Sequence, residues 1–164
     1  MKKIFSILSI VAVSMFALTS CDPETKEEAG GTAVQAMAGN WAVHVDVIEE
    51  GETYEDPYGY GTFNLYTYNT ASNASDKLFV FENSFWGTKI LANCDLNTNK
   101  IWAENSLNET DGEETANIKG EIFPNAALSE HNVPIDSICI DIEYDSEPGV
   151  IYRYTGKRYT GFAE

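Results

Sequence analysis

Apolar and polar residues alternate with a period of two in short runs from Trp41 to the end of the chain. In the first run, Trp41, Val43, Val45 and Val47 share one parity, and mostly more polar residues hold the other. Alternation of this kind is typical of strands that bury one face. The pattern predicts eight strands, over residues 41–48, 61–69, 77–82, 85–96, 100–104, 117–123, 137–144 and 150–162.

The segments between these runs are short and rich in Asn, Gly, Pro and Asp, which favour turns. None is long enough for a crossover helix, so sequential strands are expected to be antiparallel. Eight such strands close most simply into an all-β, antiparallel up-and-down barrel, and a two-sheet sandwich is the alternative. Before the first strand, Thr32 can cap a short N-terminal helical turn over residues 33–38 that ends at Gly39.

Strand parity also predicts which side chains face the barrel interior. The small residues Ala92 and Gly120 favour some cavity there, and a barrel filled by its own side chains is the alternative. The predicted wall is mainly aliphatic with two phenols, and its members are Val43, Val45, Val47, Phe63, Leu65, Ile90, Ala92, Ile118, Gly120, Ile122, Ile138, Ile140, Ile142, Tyr152 and Tyr154.

The loops at the end away from Trp41 are expected to form the mouth of the barrel. Tyr54, Tyr58, Tyr60 and Phe85 stand there among acidic residues. Because carboxylates repel a fatty-acid carboxylate, this mixture suits a sugar or a neutral amphiphile. The acidic residues expected at the mouth are Glu49, Glu50, Glu52, Glu55, Asp56, Glu82, Glu109, Asp111, Glu113, Glu114, Asp145 and Glu147.

The first twenty-one residues have the form of a secretory leader. Two lysines precede an apolar run too short to span a bilayer, and Leu18-Thr19-Ser20-Cys21 follows. That ending resembles the bacterial lipobox, which implies a signal peptide over residues 1–20 and lipidation of Cys21. Acyl chains at Cys21 would anchor the protein to a membrane without spanning it.

Residues 21–31 are polar and acidic, with a glycine pair at their end, and predict a flexible tether before a barrel domain over residues 32–164. The acidic stretch resembles the signal that exports lipoproteins to the cell surface, which implies the outer membrane. Asp22, directly after the cysteine, is the competing signal, since it would imply retention at an inner membrane.

The chain has a formal net charge of −16, and the part after residue 20 carries −18, from 8 basic and 26 acidic residues. So much negative charge excludes nucleic acid as a partner. The free thiols Cys94 and Cys139 are expected on opposite faces and therefore unbridged. Neither has neighbours at the spacing of metal ligands, and no metal or other cofactor is expected.

Catalytic chemistry finds little support in the sequence. The Gly-x-Ser-x-Gly turn of serine hydrolases is absent. His44 falls on the outer parity of the first strand, and His131 falls in a predicted loop over residues 124–134. Neither position offers walls that would hold a substrate, so we expect a protein that is not an enzyme.

Gly39-Asn40-Trp41, at the start of the first strand, resembles the Gly-x-Trp of lipocalins. That resemblance implies that Trp41 closes one end of the barrel and that an arginine of the last strand packs over its ring. Arg158 has the parity of Tyr152 and Tyr154. Because the last strand of a closed meander lies antiparallel to the first, Arg158 is expected to reach Trp41.

Longer segments carry a closer resemblance, which covers nearly all of the domain. They are similar to the lipid-binding hydrolase family of Bacteroidota lipoproteins, which implies a lipocalin-like barrel and a lipid-like ligand but brings no catalytic residues. The segments are residues 32–41, Leu65-Tyr66-Thr67-Tyr68-Asn69-Thr70-Ala71, Phe85-Trp86-Gly87-Thr88-Lys89, Asn93-Cys94-Asp95 and residues 155–162.

Together these observations predict a cell-surface lipoprotein that binds a small hydrophobic or amphiphilic molecule in its barrel. A glycan-binding or adhesion module and a ligand-free accessory subunit of an outer-membrane complex are the alternatives. The side chains expected to contact the ligand are Val45, Val47, Tyr54, Tyr58, Phe63, Leu65, Phe85, Ile118, Ile140, Tyr152 and Tyr154.

Overall fold

The structure is a computed structural model that describes residues 30–161 of the chain. The predicted signal peptide, Cys21 and nearly all of the predicted tether lie outside the described residues. Within the described range the chain forms nine strands and no helix. The strands are β1 Gly39–Glu49, β2 Glu52–Tyr54, β3 Phe63–Asn69, β4 Lys77–Glu82, β5 Thr88–Asp95, β6 Lys100–Leu107, β7 Thr115–Leu128, β8 Pro134–Tyr144 and β9 Val150–Arg158.

Eight of these strands form a closed antiparallel barrel. From β3 to β9 each strand pairs with the next one along the chain, and β1 pairs with both β3 and β9. The closing ladder runs from Trp41 opposite Arg158 to Glu49 opposite Val150. The up-and-down barrel expected from the alternation is therefore confirmed, and the two-sheet alternative is wrong.

The ninth strand was not predicted. The short strand β2 pairs with the end of β1, from Glu49 opposite Glu52 to Val47 opposite Tyr54. Glu50 and Gly51 form the turn between them, and both have positive φ, as a tight hairpin requires.

Residues 33–37, before β1, are a run of hydrogen-bonded turns, in which the Ala38 amide donates to the Val34 carbonyl.

Several strand boundaries differ from the predicted ones, and two of these differences have a physical reason that the structure shows. The predicted strand 85–96 begins only at Thr88, since residues 83–87 curl around the side chain of Glu82. The predicted loop 124–134 is largely a hairpin, because β7 runs on to Leu128 and β8 starts at Pro134. A register shift between Phe123 and Ala127, where Asn125 has positive φ, lets β7 continue past Pro124.

The barrel interior is filled by side chains. A cavity that could hold a water molecule would leave accessible surface on its lining, yet Val43, Val45, Leu65, Ile140 and Tyr154 have none. Every predicted wall residue is buried except Phe63 and Gly120, which are half-buried. Strand β4, which the predicted wall left out, adds Leu78 and Val80.

Gly120 makes room for a neighbouring strand and not for a ligand. A Cβ at this position would lie 2.8 Å from Cγ1 of Ile140 and 3.0 Å from the Cys139 carbonyl oxygen. Such contacts are closer than van der Waals packing permits, so the glycine allows β7 and β8 to approach each other. The inference of a cavity from small residues at Ala92 and Gly120 is therefore wrong.

Trp41 and Arg158 close the end of the barrel opposite the mouth, as the lipocalin resemblance implied. The guanidinium carbon of Arg158 lies 4.4 Å from the ring centroid of the fully buried Trp41. Arg158 also donates to the Ala38 carbonyl at 2.7 Å and pairs with Asp136 at 3.1 Å. The Trp41 indole N–H donates to the Thr67 hydroxyl, which donates to the Met37 carbonyl. Every polar atom that this ring brings into the core is thereby satisfied.

The two cysteines of the barrel are free thiols. Cys94 is buried in the interior and Cys139 lies half-buried on the outer face, the opposite faces that strand parity predicted. Burial raises the pKa of both thiols.

Candidate functional site: the aromatic mouth

Aromatic rings fill the mouth end of the barrel in two layers. The upper layer is supplied by loops, where Tyr58 and Tyr60 are 57% and 48% exposed and Phe85 is half-buried. Side chains of the strands and of Trp86 in the β4–β5 loop form the lower layer. We call the whole group the mouth cluster, and its members are Tyr58, Tyr60, Phe63, Phe85, Trp86, Tyr144, Tyr152 and Tyr154.

Phe85 lies at the centre of this cluster. Its ring centroid is 5.6 Å from that of Tyr58 and 5.0 Å from that of Tyr60. Beneath it, the centroid of Tyr152 lies 5.4 Å away and that of Tyr154 lies 6.3 Å away. Separations of 4.5–7 Å with tilted or edge-on rings are those that aromatic pairs prefer. Phe85 therefore connects the exposed loop rings to the buried phenols.

A buried carboxylate positions the loop that carries Phe85. Glu82 has no exposed surface, and its side chain accepts hydrogen bonds from consecutive backbone amides of residues 84–88. The hydroxyl of Thr88 donates to the same carboxylate at 3.1 Å. Six donors thus surround one anion, and the buried charge is compensated without a cation. Glu82 was expected among the acids of the mouth; it lies at that end of the barrel, but its side chain is buried and adds no charge to the rim.

Other acids of the mouth hold the lower layer by hydrogen bonds. The indole N–H of Trp86 donates to Glu114 at 2.7 Å, and the hydroxyl of Tyr152 donates to Glu147. Trp86 also stacks on Tyr144, with centroids 4.5 Å apart and planes 11° from parallel. Burial raises the pKa values of Tyr144 and Tyr152 well above the ordinary phenol value. These phenols are therefore neutral at physiological pH.

The hydroxyl of Tyr154 is an exception in this network. It is fully buried and has no hydrogen-bond partner of acceptable geometry, although Tyr144 and Thr88 are its neighbours. Those two hydroxyls bond to each other, and Thr88 donates onward to Glu82. Burial raises the pKa of Tyr154 too, so the unpartnered group is a protonated hydroxyl.

The structure brings five predicted ligand contacts together in the mouth cluster, which are Tyr58, Phe63, Phe85, Tyr152 and Tyr154. Tyr54 is exposed on β2 and pairs with Val47 across the hairpin. The remaining predicted contacts belong to the buried core; they are Val45, Val47, Leu65, Ile118 and Ile140.

Sequence reasoning did not identify the inward position of Glu82, nor Trp86 and Tyr144 as members of the mouth cluster. Glu82 has the parity of Leu78 and Val80, which signals a carboxylate that points inward from an apolar strand. Tyr144 likewise continues the inward parity of Ile138, Ile140 and Ile142. Trp86 carries no such signal, because its position depends on how the loop folds around Glu82.

A second concave surface lies on the outside of the barrel. It is a groove of about 610 Å³ across β6 to β9, with Trp102 and Phe123 exposed beside Lys119, Asp141 and Arg153. Arg153 and Asp141 form a two-pronged ion pair at 2.7 and 2.8 Å, which neutralises both charges there. Two lysines and two glutamates also line the groove, so its charges balance, unlike those of the acidic mouth.

Across residues 30–161, no three His, Cys, Asp or Glu side chains are grouped as ligands of a metal ion would be. In the same range, no helix has the length and apolar character needed to cross a membrane.

The closed antiparallel barrel, its Trp41–Arg158 closure and its aromatic mouth define a lipocalin-like barrel protein. A family model described as lipid-binding putative hydrolase matches residues 26–163, and the chain belongs to that family. A comparison with curated proteins found no match. Family membership and the barrel together support a lipid-like ligand.

Proposed function

We propose that this protein is a lipid-anchored lipoprotein of the outer membrane, displayed at the cell surface, whose barrel binds a neutral, lipid-like amphiphile at its aromatic mouth. The observation that carries the proposal is the mouth cluster, an eight-ring surface that runs from exposed Tyr58 down to buried Tyr154. The filled interior supports binding at the mouth rather than in the centre of the barrel.

The chemistry of the mouth favours a neutral ligand. The ring faces supply apolar contact for an acyl chain. At the rim, hydroxyl groups donate and accept hydrogen bonds, and carboxylates accept them. Asp111, Glu113, Glu114 and Asp145 line one side of the rim. These carboxylates would repel a fatty-acid anion, whereas an acylglycerol or a similar neutral ester brings no opposing charge.

The lipid anchor rests on the sequence around Cys21. The chain enters the barrel at its closed end, where Ala36 and Ala38 contact Arg158.

The test is binding of two ligands that differ only in charge. The Cys21→Ala chain, purified without detergent, is titrated with monodecanoylglycerol and with decanoate, and native mass spectrometry is used to search for lipid that co-purifies. We expect saturable binding of the glycerol ester and binding of decanoate that is at least about tenfold weaker, which corresponds to about 1.4 kcal/mol. Equal binding of the two, or none of either, would contradict the proposal.

The filled interior also favours a second candidate, an accessory subunit of an outer-membrane complex that holds no ligand. Exposed Trp102 and Phe123 on the outer groove would then be contact residues for a partner. Failure of both ligands to bind, together with recovery of the protein in a membrane complex that Trp102→Ala disrupts, would favour this candidate.

We also propose that the domain binds without catalysis, in contrast to the hydrolase part of the family description. His44 lies on the outer face of β1, 3.5 Å from Asp46, so it points away from the mouth cluster although its ladder partner Thr155 adjoins Tyr154. Hydrolysis of p-nitrophenyl butyrate is expected to equal that of the heat-denatured protein. A rate that disappears in His44→Ala would overturn this expectation.

A further inference from the structure

The ring of Phe85 fills a position that has the properties of a ligand site. The ring of Tyr152 lies 5.4 Å from that of Phe85, and the rings of Phe63 and Tyr154 pack edge-on against each other at 6.1 Å. These rings surround the lower side of Phe85. Tyr58 and Tyr60 cover its upper side and are themselves half exposed. Phe85 is thus a single apolar side chain that closes the end of an otherwise ring-lined opening.

Below this position lies a buried hydroxyl that makes no hydrogen bond of acceptable geometry. It belongs to Tyr154, whose neighbours Thr88 and Tyr144 lie close enough to interact with it but are bonded to each other. Leaving a buried hydroxyl unpaired destabilises a folded protein, and such groups in native structures call for an explanation. A ligand that brings an acceptor oxygen would supply the missing partner.

The loop can release the ring without unfolding. Glu82 holds the backbone of residues 84–88 by five amide hydrogen bonds, so the Phe85 backbone is fixed. Its side chain makes ring contacts and has no hydrogen bond to break, so release requires only rotation about χ1 and loss of those contacts. The covering loop contains Gly59 and Gly61, both with positive φ, and its tyrosines leave about half of their surface exposed.

We propose that Phe85 is a built-in occupant of the ligand site, which the apolar group of a neutral acyl ester displaces while an ester oxygen accepts a hydrogen bond from Tyr154. This inference rests on the proposed function at the mouth and adds the position of the ligand and its chemical class. In the ligand-free protein the ring of Phe85 substitutes for the ligand and keeps the buried phenols dry.

The test compares three variants in the Cys21→Ala chain with monodecanoylglycerol as the probe. Phe85→Ala removes the competing ring, Phe85→Trp enlarges it, and Phe81→Ala removes a ring from the outer face, where Phe81 packs on Tyr66 at 5.9 Å. If the ring occupies the site about nine-tenths of the time, Phe85→Ala tightens apparent binding by about tenfold. Phe85→Trp is expected to weaken binding, and Phe81→Ala is expected to leave it unchanged.

A gain in Phe85→Ala alone would not distinguish displacement from a newly made cavity, so displacement is also measured without that substitution. Proton contacts between the rings of Phe85 and Tyr152 are followed by NMR, and they are expected to disappear at saturating monodecanoylglycerol. Contacts that persist in the saturated protein would overturn the proposal, even if Phe85→Ala binds more tightly.

Tyr154→Phe tests the hydrogen bond. One hydrogen bond lost from the complex predicts weakening of about three- to tenfold, while the midpoint of urea unfolding without ligand stays the same or rises. A lower midpoint would mean that Tyr154 is already bonded in the free protein and would overturn its assigned role. If the parent chain binds but Phe85→Ala and Phe85→Trp match it, displacement is wrong and mouth binding stands. If neither the parent chain nor any variant binds, the proposed function itself fails.

Discussion

Replacement of Glu82 by glutamine is expected to destabilise the fold more than any other single exchange of an acid for its amide at the mouth. The carboxylate accepts from five backbone amides and from the Thr88 hydroxyl. Oε2 accepts from Ser84 and Phe85, and Oε1 accepts the other four bonds. A glutamine has only one acceptor oxygen, so its NH₂ group must face donors wherever it is placed.

The magnitude follows from the less harmful of the two orientations. With the amide oxygen at the Oε1 position, the amides of Ser84 and Phe85 lose their acceptor, and hydrogen bonds to charged groups contribute about 1.5–3 kcal/mol each. Relief of burying a charge and hydration of the half-buried loop offset part of that loss. We expect a net decrease in the free energy of unfolding of about 2–4 kcal/mol.

Equilibrium unfolding in urea measures this decrease, with Glu113→Gln as the matched control. Glu113 lies exposed on a neighbouring mouth loop, and its substitution is expected to change stability by less than about 0.5 kcal/mol. A Glu82→Gln protein as stable as the control would refute the argument that this carboxylate organises the loop. It would also remove the reason to treat the Phe85 backbone as fixed.

Three further predictions concern the closed end, the anchor and the thiols. Trp41→Ala is expected to lower the free energy of unfolding by about 3–5 kcal/mol, because it removes a fully buried ring that contacts Arg158 and Thr67. The control His44→Ala should change the free energy of unfolding by about 0.5 kcal/mol or less. Equal urea melts of the two variants would contradict this prediction. Cys21→Ala is expected to release a folded protein from the membrane fraction, and retention through high-salt washing would show that Cys21 is not the anchor. Both Cys94 and Cys139 should be labelled by iodoacetamide in the denatured, unreduced protein. In the native protein at neutral pH both should react slowly, since raised pKa values keep them as thiols. A pair of thiols recovered only after reduction would contradict the register of β5 and β8.

Much of the barrel could be read from the chain because strand alternation is a local property. Apolar residues at every second position of β1, β5, β8 and β9 specify which face is buried, and the short turns specify antiparallel neighbours. Eight strands favoured a closed barrel over two sheets, and closure of the meander predicted Trp41 opposite Arg158, the pair that the lipocalin resemblance implied.

The extent of filling could not be read in the same way, because packing depends on distances between strands that are far apart in sequence. Gly120 looks like an open position in the chain, yet Ile140 of the adjacent strand occupies the space beside it. The mouth was predicted only in part for the same reason. Tyr58 and Phe85 were recognised as loop aromatics, but their meeting at 5.6 Å requires both loops to fold over one end of the barrel.

Local pattern and residue type were therefore enough to predict the eight barrel strands, most of their inward faces and the acidic charge, and the lipocalin resemblance added the residues that close one end. The three-dimensional packing was needed to show that the β4–β5 loop folds around a buried Glu82, that Phe85 fills the mouth and that the Tyr154 hydroxyl makes no hydrogen bond of acceptable geometry. These features depend on which side chains from distant strands and loops come within a few ångströms of one another, and no local pattern in the chain encodes that proximity.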